Sequence, residues 1–250
     1  MTVLTDAVID KILTTNKQEY EKNEEKLLIT HFDENCLTPV GYDLRVGSEI
    51  VKVNFKKMDI DKIKLEEGQE FEILPHEMVA IKTEEEIGMP KNKMYSGIIV
   101  SKVSFVEKGL SHISTSLDPD WYGELVVTLF NHSFRTIKLK RGEPFCTMIL
   151  LKNEEQSVRS SGKTPGGHIE KLYDEWNKAK KEYEKARKMK MIKLLAGILA
   201  GILAVIPLAA IWWSLAKHLE VELLITAIVY SAMYLYYIRN ILISILKEIF

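Results

Sequence analysis

Apolar and polar positions alternate in three regimes along the chain. Over residues 1–165 the dominant period is two, shown best by 117–151, LDPDWYGELVVTLFNHSFRTIKLKRGEPFCTMILL. Asp118, Pro119 and Trp121–Gly123 make a turn, strands follow at Glu124–Phe130 and Arg135–Leu139, and a third follows the Gly142–Pro144 turn. Alternation bounded by Gly, Pro and Asn predicts a β-meander. Further strands are expected at Leu27–Phe32, 41–53, Glu70–Ile73, Glu77–Lys82 and Tyr95–Phe105, with turn chemistry at 33–39. Roughly ten short strands at this spacing predict a mainly β barrel or jelly-roll-like sandwich. A short amphipathic helix precedes them, with Thr5 as N-cap, Asp6 in the first turn and Val8, Ile9, Ile12 and Leu13 on one face. The polar run Asn16–Lys26 reads as exposed loop or fray.

At 166–193 the period changes. Ile169, Leu172, Trp176, Ala179, Tyr183 and Ala186 recur three and four apart, a heptad seam with charge on the other faces. This predicts a helical stalk that either self-associates or packs its stripe on the β head. Residues 194–250 are expected to form two transmembrane helices. Leu194–Ala216 is about 23 residues, enough to cross a ~30 Å hydrocarbon core at ~1.5 Å per residue. KHLEVE at 217–222 is a turn, and Leu223 onward crosses back. Gly197 and Gly201 form a GxxxG pair, and Trp212, Trp213, Tyr234, Tyr236 and Tyr237 fall at the interfaces. ILISILKEIF at 241–250 either extends the second span or lies flat. Lys178 through Lys193 supply many cations before the first span, and Arg239 and Lys247 follow the second, with only Lys217 between. The positive-inside rule then gives a two-pass cell-membrane protein with head and C-terminus in the cytoplasm.

Composition adds mainly exclusions. The net charge of -1 and mean hydropathy of -0.05 average a charged head with a greasy tail, and no nucleic-acid partner is expected. Cys36 and Cys146 give neither a disulfide framework nor metal spacing. Six scattered histidines exclude the usual zinc deaminase and zinc protease patterns. GKT at 162–164 lacks the first glycine of a phosphate loop, and the acidic N-terminus is no signal peptide.

FDENCLTPVGYDLRVG, TEEEIGMPKNKMYSGIIVSKVSFVEKGL, LDPDWYGELVVTLFNHS and GEPFCTMIL occur in one order. In these segments residues 1–165 resemble the dUTPase and dCTP deaminase superfamily. The resemblance implies a distorted β-barrel or jelly roll, assembled as a homotrimer with nucleotide sites between subunits. It assigns nucleotide-binding roles to Lys102, Ser104, Asp118, Thr128, Thr147 and Lys163. Lys102 stands at the first arginine of the family's RSSLAR-G segment, Val103 at its first serine, Ser104 at its second serine and Glu107 at its second arginine. Asp118 keeps the aspartate that orients the attacking water, or else caps a turn. Thr128 stands at the deaminases' catalytic glutamate, and Thr147 at the glutamine of the family's last core strand. Lys163 is retained from a phosphate-gripping segment whose tyrosines and glutamine are lost. A threonine hydroxyl is no general base near neutral pH unless itself activated, and Arg-to-Glu reverses charge where a triphosphate would sit.

The resulting expectation is a catalytically degenerate, membrane-anchored nucleotide sensor whose occupancy controls a hairpin assembly in the bilayer. It resembles antiphage membrane effectors that respond to cyclic nucleotides. Its ligand would be dUTP-like, dCTP-like or a cyclic nucleotide, with Mg²⁺ only as the nucleotide's companion and no resident cofactor. The alternatives are an active tethered dUTP diphosphatase or dCTP deaminase, with Asp118 catalytic, and an anchored scaffold without ligand.

Overall fold

A computed structural model of the chain describes residues 1–111, 114–160, 168–215, 229–234, 236–237 and 239–240, excepting the side chains of 202, 204–212 and 214–215. Two compact units arise, Met1–Asn177 and Lys178–Phe250. The first is mainly β. It begins with β1 (Thr2–Val3), α1 (Asp6–Ile12), β2 (Leu13–Thr14) and α2 (Lys17–Lys22). In α1 Ile9 is fully buried, but Val8 lies off that face and is exposed. Thr5 takes the N-cap position without a side-chain bond. The segment expected to be a loop at 16–26 contains α2 instead. The Asn16 side chain accepts from the backbone N–H groups of Gln18 and Glu19 at 2.8 and 3.4 Å, and Tyr20 is buried with its hydroxyl donating to the Met89 carbonyl at 2.9 Å. A cap and one anchored aromatic hold this helix, so it has no apolar stripe to betray it.

There follow β3 (Leu27–Ile29), β4 (Leu37–Thr38), β5 (Gly41–Asn54), β6 (Asp59–Lys64), β7 (Glu70–Ile73) and β8 (Glu77–Gly88). Next come β9 (Tyr95–Ser101), α3 (Val103–Val106), β10 (Leu110–Ser111), β11 (Thr115–Leu117), β12 (Tyr122–Asn131), β13 (Ile137–Lys140) and β14 (Pro144–Lys152). β8 runs well past the expected Lys82 because each glutamate of its acidic run finds a cation. Glu84 meets Arg141 at 3.2 Å, Glu85 meets Arg45 at 2.7 Å, and Glu86 meets Lys17 at 2.5 Å. The strand expected over Tyr95–Phe105 ends at Ser101 and turns into α3.

The meander is corrected. β12 lies between β10 and β8, β14 between β5 and β9, and β13 pairs with β7 in a separate two-stranded sheet. The main sheet has twelve strands, its longest path running β10-β12-β8-β5-β14-β9-β11. Alternation tells which face of a strand is buried, not which strand lies beside it. Both sheets share one core, in which Phe71, Ile73, Ile137 and Leu139 join Leu44, Ile81, Val127, Phe145 and Met148.

The outer face of the main sheet receives the start of α4 (Ile169–Leu215). Ile169 is buried with Val51 and Ala80, and Leu172, Tyr173 and Trp176 pack around them with Ile60 and Val126. Lys62 pairs with Glu170 beside this contact. The first two turns of the predicted seam are therefore spent on the head. Among the described residues no helix is long and apolar enough to cross a membrane. The expected turn at 217–222, residues 223–228, the 241–250 end and most side chains of the first expected span beyond Gly201 lie outside the described residues.

Candidate functional site

The GYDLRVG segment of β5 organises one half of the site. Its glycines are there for close approach: a Cβ on Gly41 would sit 2.4 Å from the Met148 carbonyl oxygen, and one on Gly47 2.5 Å from that of Lys82. That closeness sets β14 against β5 with Thr147 opposite Asp43. The Thr147 hydroxyl donates to Asp43 Oδ1 at 2.6 Å, and the Lys102 ammonium pairs with Oδ2. Two sequence-predicted residues thus converge on a third that the sequence reading passed over. The available signal was an aspartate within a buried apolar run, because a buried carboxylate requires partners. Two residues along β5 from Asp43, Arg45 donates through Nε to Glu85 Oε1 at 2.7 Å and through its backbone N–H to Oε2 at 3.0 Å. Glu85 is wholly buried. Burial pushes its carboxyl above the usual range, opposed by the Arg45 bonds.

The other half is the turn before β12. The Asp118 carbonyl accepts from the Trp121 N–H at 3.1 Å, and the Trp121 indole donates to the Gly123 carbonyl at 3.0 Å. Beside this turn a cavity of about 350 Å³ is lined by Tyr20, Glu21, Met89, Lys91, Lys93, Asp120 and Tyr122. The Tyr20 and Tyr122 rings stack at 5.8 Å. Lys91 sits over Tyr20 at 5.0 Å while pairing with Glu21 at 2.5 Å. Burial pushes the Tyr20 phenol up to about 12, and a hydrogen bond to Glu86 raises that of Tyr122. None of this cavity was foreseen apart from the turn itself.

The halves stand apart within one chain. Leu117, just before Asp118, pairs with Gly97, whereas Lys102 follows Ser101 at the opposite end of β9. Gly97 to Ser101 alone spans ~13 Å at ~3.3 Å per residue. Thr128 is half-buried in β12 and pairs with Ala80, on the face that carries Val126 and receives Ile169. The carboxylate two positions from Val126 on that face, Glu124, is held by Lys82 at 3.1 Å. Ser104 is exposed on α3, and Lys163 lies outside the described residues. Glu107 is exposed where α3 ends, on a second cleft of about 760 Å³. Among the described residues no group of three or more His, Cys, Asp or Glu could hold a metal ion. Cys36 is buried, which pushes its thiol up to about 11, and Cys146 is buried and raised likewise, so neither suits a nucleophile.

A family model described as dCTP deaminase-like matches residues 12–153. The chain is 34% identical over 134 residues to a dCTP deaminase of Pyrococcus horikoshii, covering 54% of this chain and 81% of that protein. It is 34% identical over 133 residues to a probable deoxyuridine 5'-triphosphate nucleotidohydrolase of Sulfolobus islandicus rod-shaped virus 1, covering 52% and 77%. A solved 2'-deoxycytidine 5'-triphosphate deaminase from Agrobacterium tumefaciens matches at 15% identity and a TM-score of 0.46, over 59% of this chain and 46% of that one. The family match ends before α4 begins.

Proposed function

The chain belongs to the dCTP deaminase-like family, and from that premise we propose that it is a nucleotide sensor that holds its ligand without converting it. The observation that carries this reading is Thr128. Activating water for attack on a base, or shuttling protons to it, requires a positioned group that can take a proton. Thr128 offers a neutral hydroxyl on a strand face shared with Val126 and Ala80. Glu124 is neutralised by Lys82, and Asp43 is engaged by Lys102 and Thr147.

Asp118 and Lys102 lie at opposite ends of β9, so a nucleotide touching both is best held between copies, in a homotrimer. Mg²⁺ would arrive on the nucleotide's phosphates. The apolar sequence from Leu194 onward supports anchoring in the cell membrane, with head and C-terminus cytoplasmic. Occupancy of the head would alter the packing of the membrane segments, and the proposed purpose is antiphage defence by membrane disruption. For such coupling the ligand must bind two states unequally.

The retained Asp118 and the names of the relatives favour a second reading, an active tethered dUTP diphosphatase or dCTP deaminase. One incubation series separates them. The detergent-solubilised protein is mixed with dUTP, dCTP and a panel of cyclic nucleotides and dinucleotides with Mg²⁺, and each is followed for retention and conversion. Retention of one nucleotide, recovered unchanged, is expected. Pyrophosphate or ammonia release above an Asp118→Asn control would replace the sensor with an enzyme.

A further inference from the structure

We infer that the first turns of α4 are an autoinhibitory plug: they dock beside Thr128 on the sheet face a nucleotide must reach, so docked helix and ligand exclude one another. The inference deepens the nucleotide-binding reading and rests on it for the ligand and for Thr128 as one of its contacts. The docked turns belong to the same compact unit as the sheet, Met1–Asn177.

Register places the contact. Lys62 pairs with Val51, Val51 with Ala80, and Ala80 with Thr128. Directly paired residues of antiparallel strands point to the same face, so these four make one outward row across β6, β5, β8 and β12. The adjoining inward row is Ile50, Ile81 and Val127, all in the core. The helix start follows the outward row. Glu170 pairs with Lys62, and Ile169, 2% exposed, is buried with Val51 and Ala80. Thr128 closes the row, ~5 Å from Ala80 across the strands and ~7 Å from Val126 along β12. Both of these neighbours are covered, since Val126 packs into the same cluster as Leu172, Tyr173 and Trp176. Thr128 itself is half-buried. A ligand atom bonded to its hydroxyl would stand ~2.7–3.0 Å away, and a base or sugar lying on the row would meet the helix.

The plug is held loosely enough to leave. Of its four apolar residues only Ile169 is buried, and Leu172, Tyr173 and Trp176 are half-buried. The Lys62–Glu170 pair joins side chains 27% and 67% exposed, a kind of pair that holds weakly. The floor it would vacate, Val51, Ala80 and Val126, is apolar and suits a base ring. Ile169, Leu172 and Trp176 are also the first three positions of the heptad seam, whose later member Tyr183 is 56% exposed. Displacement returns those three to the stalk, so occupancy is read at the helix without any change in the β fold.

The test follows the full chain in detergent by equilibrium dialysis and amide exchange, with dUTP, dCTP and the panel of cyclic nucleotides and dinucleotides in Mg²⁺. An occluded site binds in proportion to its open fraction, so undocking restores affinity. Ile169→Ala should tighten binding of the retained nucleotide at least about tenfold, and saturating nucleotide should speed exchange over 169–176 in the wild type. Lys62→Glu weakens docking while adding negative charge three strand spacings, ~14 Å, from Thr128. It should tighten binding about two- to threefold, where charge repulsion alone would weaken it, and it keeps the test decisive if Ile169→Ala lowers the stability of the head. Retention by Ile169→Ala where the wild type retains nothing supports the plug. Binding unmoved within twofold by Ile169→Ala, binding weakened by Lys62→Glu, or exchange at 169–176 unchanged by saturating nucleotide overturns the plug and leaves the sensor reading intact. No retention of any nucleotide by the wild type or either variant overturns both.

Discussion

Replacing Arg45 by methionine should destabilise the head severely without touching the candidate ligand groups. The Glu85 side chain has no solvent exposure and that of Arg45 has 16%, so removing the guanidinium strands a carboxylate in the core. Glu85 would keep the Arg45 backbone N–H at 3.0 Å but lose its charge partner at 2.7 Å, and the His31 carbonyl would lose a donor. Breaking one side of a buried ion pair costs about 3–5 kcal/mol. The exposed Lys138–Glu72 pair, at 62% and 53% side-chain exposure, should cost under ~1 kcal/mol when broken by Lys138→Met. The carboxyl can escape part of the penalty by protonating. Burial already raises Glu85, and loss of Arg45 raises it further, so the folded mutant takes up a proton that the unfolded chain has released. That contribution is present in acid and lost as pH rises through the folded value, so the deficit must be smaller at pH 5 than at pH 8. Arg45→Met with Glu85→Leu should recover most of the loss. Urea titration of the full chain in detergent, followed by near-ultraviolet circular dichroism, measures all four proteins. A deficit under 1 kcal/mol for Arg45→Met, or one growing in acid, would refute the reasoning.

Thr128→Glu should cost about 1–3 kcal/mol and release no ammonia from dCTP above an Asp118→Asn control. Release clearly above it means that the missing carboxylate was all the site lacked. Ile169→Ala, at a position 2% exposed, should cost about 2–4 kcal/mol of local stability, read as faster amide exchange over 169–176, with no change there meaning that the helix start is not docked. The Cys36 thiol, raised by burial to about 11 from an ordinary 9.0, contributes stability that is complete below pH 9 and lost as pH rises towards 11. The loss is on the order of 2–3 kcal/mol at most, and Cys36→Ala should flatten that portion of a pH–stability curve.

The strand pattern was legible where side chains alternate between core and solvent, as in β12 and β7. What failed was partnership: the strands around Glu124, Arg135 and Phe145 never pair with one another, because period two carries no address. α2 was written in a cap rather than a stripe, and Asn16 followed by Glu19 was the visible sign of it. At the site, residue-by-residue resemblance located Lys102 and Thr147. It could not reveal that both are held by Asp43, nor that Arg135, thirty-one residues after Ser104 in the chain, shares a cleft with the end of α3. Such relations exist only once the sheet has brought distant strands together.

The main sheet ends in strands of two and three residues, β10 and β11, while β6, which pairs only with β5, alternates aspartate and lysine with isoleucine as DIDKIK. Short or charged borders leave few free amides for an incoming strand. Copies of the head brought close together therefore find little open backbone at these three borders, which guards them against joining edge to edge.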